Sequence, residues 1–277
     1  MSWNPNQYLK FEAERFAPFD DLVRLVHVQD NLHVVDLGCG TGELTLKLAG
    51  MVPGARVLGI DNSKEMLAKA ERGNTNQANV SFKLMSIEEF AEETPPLDPP
   101  RKRGGDHPTS AKEKFDLMFS NAAIHWAADH PQLLAKLWER LKPGGQIAVQ
   151  IPSGVRNRAQ RAVMETAERE PYLESLAGWR WNYPVLQPDE YAEVLYSLGA
   201  SDIVAFEKVY PHLLLDGEAV FDWVAGTTMN AYLKRLPDNL QAAFKADVKA
   251  EVVRRYPDSP AFFPFRRIFF AGRKQAV

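Results

Sequence analysis

Apolar and polar positions alternate between two periods along the first 150 residues. His33-Val34-Val35-Asp36-Leu37 is a β-branched run that stops at Gly38, and Leu44, Leu48 and Ala49 then recur at helical spacing over residues 43–49. This predicts a strand, a glycine loop and a helix. The unit repeats: residues 55–60 read as a strand ending at Asp61, followed by a helix that Ser63 caps, that shows Met66, Leu67 and Ala70 on one face, and that stops at Gly73. Residues 80–85, 115–119 and 146–151 complete the set of strands, with a helix over 131–141 before the last. Alternating strands and helices predict a parallel sheet covered on both faces. Right-handed crossovers then put ligands at the carboxyl ends of the strands.

Beyond Ile151 the pattern changes. Helical spacing over 157–169, 189–198, 217–224 and 239–255 surrounds one strand at 202–210, which predicts a helical cap, and residues 268–273 are expected to return to the sheet beside that strand as an antiparallel hairpin-like pair. The organisation expected is one domain over 1–277, with an N-terminal lid and first helix in 1–30. A cofactor-binding half follows in 31–152, and a cap with a returning strand in 153–265. Between Thr94 and Lys114 the pattern collapses: five of the 19 prolines and the basic triplet Arg101-Lys102-Arg103 fall there, and residues 95–113 read as a solvated surface insertion. Asp98-Pro99-Pro100 sits inside it, away from any strand end, and carries no chemistry.

Composition narrows the function classes. The 277 residues are 45% hydrophobic and 25% charged, the proportions of a folded globular protein. Lys and Arg total 33 against 36 Asp and Glu, a net charge of −3, so no general basic field favours nucleic acid or anionic lipid as a partner. The single cysteine, Cys39, excludes an intrachain disulfide or a Cys-cluster metal site and fits a reducing compartment. The first residues lack a basic and apolar leader pattern, and no apolar run reaches the roughly 20 residues that cross a bilayer. A cytoplasmic protein with a small-molecule substrate, monomeric or homodimeric, is expected.

Candidate chemistry concentrates in Asp36-Leu37-Gly38-Cys39-Gly40-Thr41-Gly42. A dinucleotide fingerprint requires its third glycine where Glu43 stands, so the spacing argues against a nicotinamide-linked dehydrogenase. Glycines at alternate positions let the main chain lie flat against a ligand that a Cβ would hold away. Asp61, 19 residues after Gly42 at the end of the second strand, is an acceptor-only carboxylate suited to both hydroxyls of a ribose. Asp36 suits a cationic amine better than a pyrophosphate.

Val35-Asp36-Leu37-Gly38-Cys39-Gly40-Thr41-Gly42, with Gly59-Ile60-Asp61 and Leu141-Lys142-Pro143-Gly144-Gly145, resembles the class I S-adenosylmethionine-dependent methyltransferases. The resemblance implies an α/β fold, a doubly wound Rossmann-like seven-stranded sheet with a helical cap, and S-adenosylmethionine as cofactor. More narrowly, the chain is similar to the trans-aconitate methyltransferases. This likeness lies in Trp3-Asn4-Pro5, Tyr8-Leu9, Phe11, Ala13-Glu14-Arg15, Ser120-Asn121-Ala122-Ala123-Ile124-His125-Trp126, Asp129-His130 and Ala148-Val149-Gln150-Ile151-Pro152. By position it implies that Asp36, Gly38 and Gly40 line the methionine end, that Asp61 holds the ribose, that Met66 touches the adenine and that Asn121 and Ala122 close the site; Asn62, Ser86 and Ile87 are further expected cofactor-binding residues, as is Cys39, which also reads as a small buried hydrophobe beneath the loop. Ser86-Ile87 replaces an acidic residue that the family usually carries after the third strand, and Phe16-Ala17-Pro18 replaces an Arg-Pro pair.

A methyl transfer needs an in-line nucleophile at about 3 to 3.5 Å and little covalent help from the protein. A carboxylate acceptor is already ionised at neutral pH and requires no general base, whereas a polycarboxylate requires arginine forks. Arg15, Arg180, Arg266 and Arg267 are the candidate cations, with surface or structural ion pairs as the alternative for Arg266 and Arg267. His125 reads as a substrate-steering group or a base, or equally as a hydrogen-bonded structural residue. Trp126 joins it at the expected pocket. Trp179, Trp181 and Tyr183 read as an aromatic wall or as cap packing, and Trp3 and Tyr8 as a lid over the substrate. The expected activity is methyl-ester formation on trans-aconitate or a related acid. The alternatives are methylation of a secondary-metabolite hydroxyl or thiol with His125 as base, and a catalytically silent cofactor-binding regulatory subunit.

Overall fold

The computed structural model describes residues 13–93, 113–154, 157–181, 183–226 and 228–276. Helix α1 is Ala13–Val23. The predicted lid residues and the insertion at 95–113, apart from Glu113, lie outside the described residues.

The chain divides into two compact units, the first made of 19–151, 186–206 and 268–276. Its strands are β1 His33–Leu37, β2 Arg56–Asp61, β3 Val80–Leu84, β4 Phe115–Asn121 and β5 Leu141–Pro152, joined by parts of β6 Ala200–Leu214 and β7 Ala261–Lys274. The sheet has seven strands in the order β3-β2-β1-β4-β5-β7-β6. The pairs β1–β2, β1–β4, β2–β3 and β4–β5 are all parallel. β2 and β4 flank β1 on opposite sides, so the chain order reverses direction at the carboxyl end of β1, where an open α/β sheet forms its ligand crevice. Val34, Val35 and Leu37 are fully buried, as a strand covered on both faces demands.

Helices α2 Glu43–Met51, α3 Lys64–Gly73, α4 Ile87–Glu92 and α5 His130–Glu139 follow their strands. Ser63 caps α3 as the sequence predicts, accepting from the Met66 amide at 3.3 Å. Ser86 opens α4 with a reciprocal capping box to Glu89. The helix expected to reach Leu141 ends at Glu139, because Leu141 already pairs with Phe115. β5 therefore begins five residues before Gln146, running through Lys142-Pro143-Gly144-Gly145 with a register irregularity between Phe115 and Leu117. Helices α6 Arg158–Ala167, α7 Tyr172–Ser175 and α8 Pro188–Ser197 follow β5 along the chain.

The second unit holds residues 13–18, 152–185 and 207–267. α6, α9 Gly217–Ala225, α10 Thr228–Leu233 and α11 Asp238–Arg255 close on Phe244, Val248, Val252, Tyr232 and Phe263, a helical region with its own apolar core. β7 begins at Ala261, seven residues before Ile268, and lies between β5 and β6 as well as beside β6. Its odd positions Ala261, Phe263 and Phe265 are buried while Phe262 is 55% exposed, the period-two signature that Pro264 and the two arginines disguise.

Candidate functional site

The glycine loop is tied over the ends of β1 and β2. The amides of Gly38 and Cys39 both donate to the Ile60 carbonyl at 2.9 Å, and the buried Ser120 hydroxyl donates to the Leu37 carbonyl at 2.9 Å. Gly38 and Gly40 occupy left-handed backbone, with φ of 77° and 55°, yet their surroundings differ. A Cβ on Gly38 would stand 2.2 Å from the Ala123 Cβ, whereas a Cβ on Gly40 would meet nothing within 4 Å. Gly38 is a packing glycine; Gly40 borders space that a ligand can fill.

Asp61 organises the rim of that space. Its Oδ2 accepts from the Gly40 amide at 2.9 Å and its Oδ1 from the Ser63 amide at 2.8 Å. Each oxygen keeps a lone pair for a further donor, and the residue is half-buried, so a vicinal diol can be held in bidentate fashion. Asn62 is exposed beside it, and Met66 lies half-buried one turn into α3. Ile87 approaches the loop from α4, its Cδ1 standing 3.8 Å from the Cβ position of Gly38. Ser86 commits its hydroxyl oxygen to the Glu89 amide at 3.0 Å.

Asp36 is 3% exposed and its Oδ2 accepts from the Thr45 hydroxyl at 2.6 Å. Burial raises its carboxyl to a pKa of about 7, the Thr45 hydrogen bond opposes that, and the Asp61 charge adds to it. Such a carboxyl favours a cation beside it. Burial, helped by Asp36 and Asp61, pushes the Cys39 thiol well above its ordinary range, so the sulfur is an inert wall and no nucleophile.

The far wall follows β4. Ala122 holds φ 57°, a left-handed conformation costly for alanine, and is fixed there by its amide donating to the Gln150 carbonyl at 2.8 Å. The Gln150 side-chain amide donates to Asn121 Oδ1 at 2.6 Å. The turn Ile124–Trp126 comes next. His125 is buried at 9% exposure while Trp126 is 61% exposed, their ring centroids 4.7 Å apart.

The loop, Asp36, Asp61, Ile87 and the Asn121–Ala123 turn are thus brought together in one unit. Of the predicted substrate residues, Trp3, Tyr8 and the Arg15 side chain lie outside the described residues. In the second unit Trp181 packs edge-on against Trp179 at 6.4 Å, and the Trp179 ring in turn meets Tyr232 at 5.2 Å. Arg266 pairs with Glu207 at 2.6 Å and Arg180 with Glu168 at 3.3 Å, so both are engaged as ion-pair members. Arg267 is buried with its guanidinium 4.3 Å from the Phe265 ring centroid. Sequence reasoning gave no role to Thr45, Ser120 or Gln150, which hold Asp36, Leu37 and Asn121 in place; Ser120 and Gln150 stood in segments that carry the likeness, but their hydrogen bonds are visible only in the fold.

Residues 28–196 match the family model described as a methyltransferase domain. The chain is 39% identical over 279 residues to a trans-aconitate 2-methyltransferase of Deinococcus radiodurans, covering 99% of both chains. It is 32% identical to a trans-aconitate 2-methyltransferase of Variovorax paradoxus, covering all of both. Among solved structures, the YcgJ protein of Bacillus subtilis aligns over 95% of this chain and 100% of its own at a TM-score of 0.56 and 14% identity, a likeness of fold. A Haemonchus contortus phosphoethanolamine N-methyltransferase 2 aligns over 94% of this chain, which spans 52% of that longer one, at a TM-score of 0.52 and 19% identity.

Proposed function

The chain belongs to the class I S-adenosylmethionine-dependent methyltransferases, and from that premise we propose that it forms a methyl ester on a carboxylate of trans-aconitate or a related polycarboxylic acid. The observation that carries the choice of acceptor is the likeness, end to end, to curated relatives of that name.

S-adenosylmethionine supplies an activated methyl group on a cationic sulfur. The residues of the glycine loop fit it: the space beside Gly40 admits a flat approach, and a cation-favouring Asp36 stands where an amino-acid ammonium is expected. In this reading Asp61 takes the ribose hydroxyls, while Met66, Ser86 and Ile87 border the adenine. Asn121 and Ala122, clamped by Gln150, present a rigid edge.

The protein's part is then positioning. An acceptor carboxylate with an ordinary pKa near 4 is ionised at neutral pH, so no residue has to remove a proton. The sequence-based reading of Trp3, Tyr8, Arg15, Trp181 and Arg266 as partners of the acid forms part of this proposal. A fork of guanidinium donors suits carboxylates that are not reacting. His125 and Trp126 orient the acceptor in this scheme.

Transfer from labelled S-adenosylmethionine into a panel of di- and tricarboxylic acids, phenols and thiols, with products identified by mass spectrometry, tests the proposal. The expected product is a monomethyl ester of trans-aconitate or a close analogue. Turnover confined to phenols or thiols overturns it.

A further inference from the structure

His130 is the first residue of α5, fully buried, and it faces Tyr191 of α8, 61 residues further along the chain. The Tyr191 hydroxyl lies 2.5 Å from His130 Nδ1, and His130 Nε2 lies 2.9 Å from the carbonyl of Ile124. A carbonyl only accepts, so Nε2 must carry the proton. Burial lowers the pKa of His130 below its ordinary value, outweighing the opposite pull of two backbone hydrogen bonds and of Asp129, so the ring is neutral at pH 7. Nδ1 is therefore the acceptor and the tyrosine hydroxyl the donor. The Leu186 amide donates to that same hydroxyl at 3.3 Å, and the phenol ring stacks on Phe270 at 4.1 Å and 14°. Each polar atom in this relay has a defined sense, and the phenol that sets it is held from both sides.

Ile124 opens the turn that carries His125 and Trp126. The residues leading into that turn are pinned by Ala123, packed against Gly38, and by the Ala122 amide on the Gln150 carbonyl, while the Ala127 amide also donates to the Ile124 carbonyl at 3.0 Å. Ile124 and Ala127 are buried at 0% and 2%, yet Trp126 between them is 61% exposed. Trp126 is thus the solvent-facing residue of this turn, directly after the Asn121–Ala123 edge of the candidate site.

We propose that His130 and Tyr191 are positioning residues for acceptor recognition: the tyrosine hydroxyl fixes the one histidine tautomer that can hold the Ile124 carbonyl, and so sets the orientation of the His125–Trp126 turn. The inference rests on the reading of the chain as a small-acid methyltransferase. Neither residue touches the reacting atoms. Ala122 and Ala123 keep their own contacts with Gln150 and Gly38 when the relay is lost, so the effect is expected mainly on the acceptor side.

The test uses the full chain with Tyr191→Phe, which removes only the hydroxyl, and His130→Gln, whose side-chain amide still offers an N–H to Ile124. Loss of one hydrogen bond predicts an acceptor KM raised about five-fold in Tyr191→Phe, with the cofactor KM within two-fold of wild type and most of the loss recovered in His130→Gln. A lowered Tm with both KM values unchanged means a merely structural pair and overturns the proposal. If Tyr191→Phe fails to fold, His130→Gln is compared with His130→Ala on the same split, and equal acceptor KM values in the two overturn it. Two readouts are independent of turnover: the ring 15N shifts of His130, expected to show the Nε2–H form in wild type and a tautomer mixture in Tyr191→Phe, and the 19F resonance of fluorinated Trp126, assigned by its loss in Trp126→Phe and expected to move in Tyr191→Phe. Should wild type esterify no acid, the functional reading fails while these spectra still decide the relay; both unmoved by Tyr191→Phe, the relay fails.

Discussion

The Gly40 amide donates to Asp61 Oδ2 at 2.9 Å, joining the middle of the glycine loop to the end of β2 across 21 residues of chain. The same carboxylate takes the Ser63 amide at the start of α3. One side chain thus shapes the loop and sets the helix start, and in its proposed role at the ribose its loss should be felt in binding more than in folding.

Asp61→Asn is the sparing test. The amide replaces one acceptor oxygen by a donor that faces a backbone N–H, and it weakens the hold on a ribose. Charge-assisted hydrogen bonds of roughly 1.5 to 3 kcal/mol predict a 10- to 100-fold weaker Kd for S-adenosylmethionine by calorimetric titration. A Kd within two-fold of wild type would remove Asp61 from the cofactor site.

Gly38→Ala and Gly40→Ala should part company. At Gly38 the added methyl meets Ala123 at 2.2 Å in a left-handed backbone, so the variant melts well below wild type, by an overpacking cost of about 1 to 3 kcal/mol plus the strain. At Gly40 the methyl enters open space, so the variant loses about 1 kcal/mol of stability and more than ten-fold in cofactor affinity. Thermal melts and titrations of the two proteins check both halves; equal behaviour contradicts the division of roles.

Much of this was readable in the chain because its causes are local. The Ser63 cap, the β1–loop–α2 unit and the short parallel strands each rest on neighbours within a few residues. What escaped depends on distant pairing. β5 starts at Leu141 because Phe115 is there to receive it, although Pro143 and two glycines read as loop. β7 starts at Ala261 because its buried phenylalanines are spaced by two, a pattern broken to the eye by Pro264, Arg266 and Arg267. The Glu207 partner of Arg266, 59 residues away, and the Tyr191 partner of His130 leave no mark in local spacing. The glycine loop was legible for the opposite reason: bringing backbone close to a ligand demands glycine in sequence.

Asp36 should give a stability–function trade. Its carboxyl has a pKa of about 7 in the folded chain against an ordinary 3.8, so the folded state holds the proton more tightly and loses stability as pH rises toward and through 7. Asp36→Asn keeps an acceptor for Thr45 and escapes that cost. Urea melts should show the variant more stable than wild type at pH 8.5, by at most about 4 kcal/mol at 1.36 kcal/mol per pH unit, the gain shrinking to nothing near pH 4. Cofactor affinity should fall in the same variant. A pH-independent difference between the two proteins refutes the assignment.

Glu251 of α11 predicts the opposite pH sense. It accepts from Arg254 at 2.7 Å and from Arg255 at 2.7 Å, and hydrogen bonds from Arg254 first, then Arg255, hold its carboxyl at about 2 against an ordinary 4.5. Its contribution is complete above pH 4.5 and lost as pH falls toward 2. Glu251→Gln should therefore melt below wild type at pH 7 and approach it by pH 2 to 3 in thermal scans. A deficit that persists undiminished at pH 2 would assign the effect to packing alone.

His125 decides between acceptors. A general base contributes about 10²- to 10⁴-fold, and an ionised carboxylate needs none. In the proposed complex the cofactor ammonium beside Asp36 favours its carboxylate, so kcat for a carboxylic acid should be flat between pH 6.5 and 8.5. His125→Asn should lower kcat less than ten-fold, acting through the orientation of the acceptor and so mainly through KM. A hydroxyl or thiol acceptor gives the contrary pattern: a limb near the histidine pKa in wild type, its disappearance in the variant, and a loss of 10² or more in kcat. The buried ring beside an exposed Trp126 is compatible with either group as neighbour, and the kcat–pH profile of the two proteins on one identified substrate separates them.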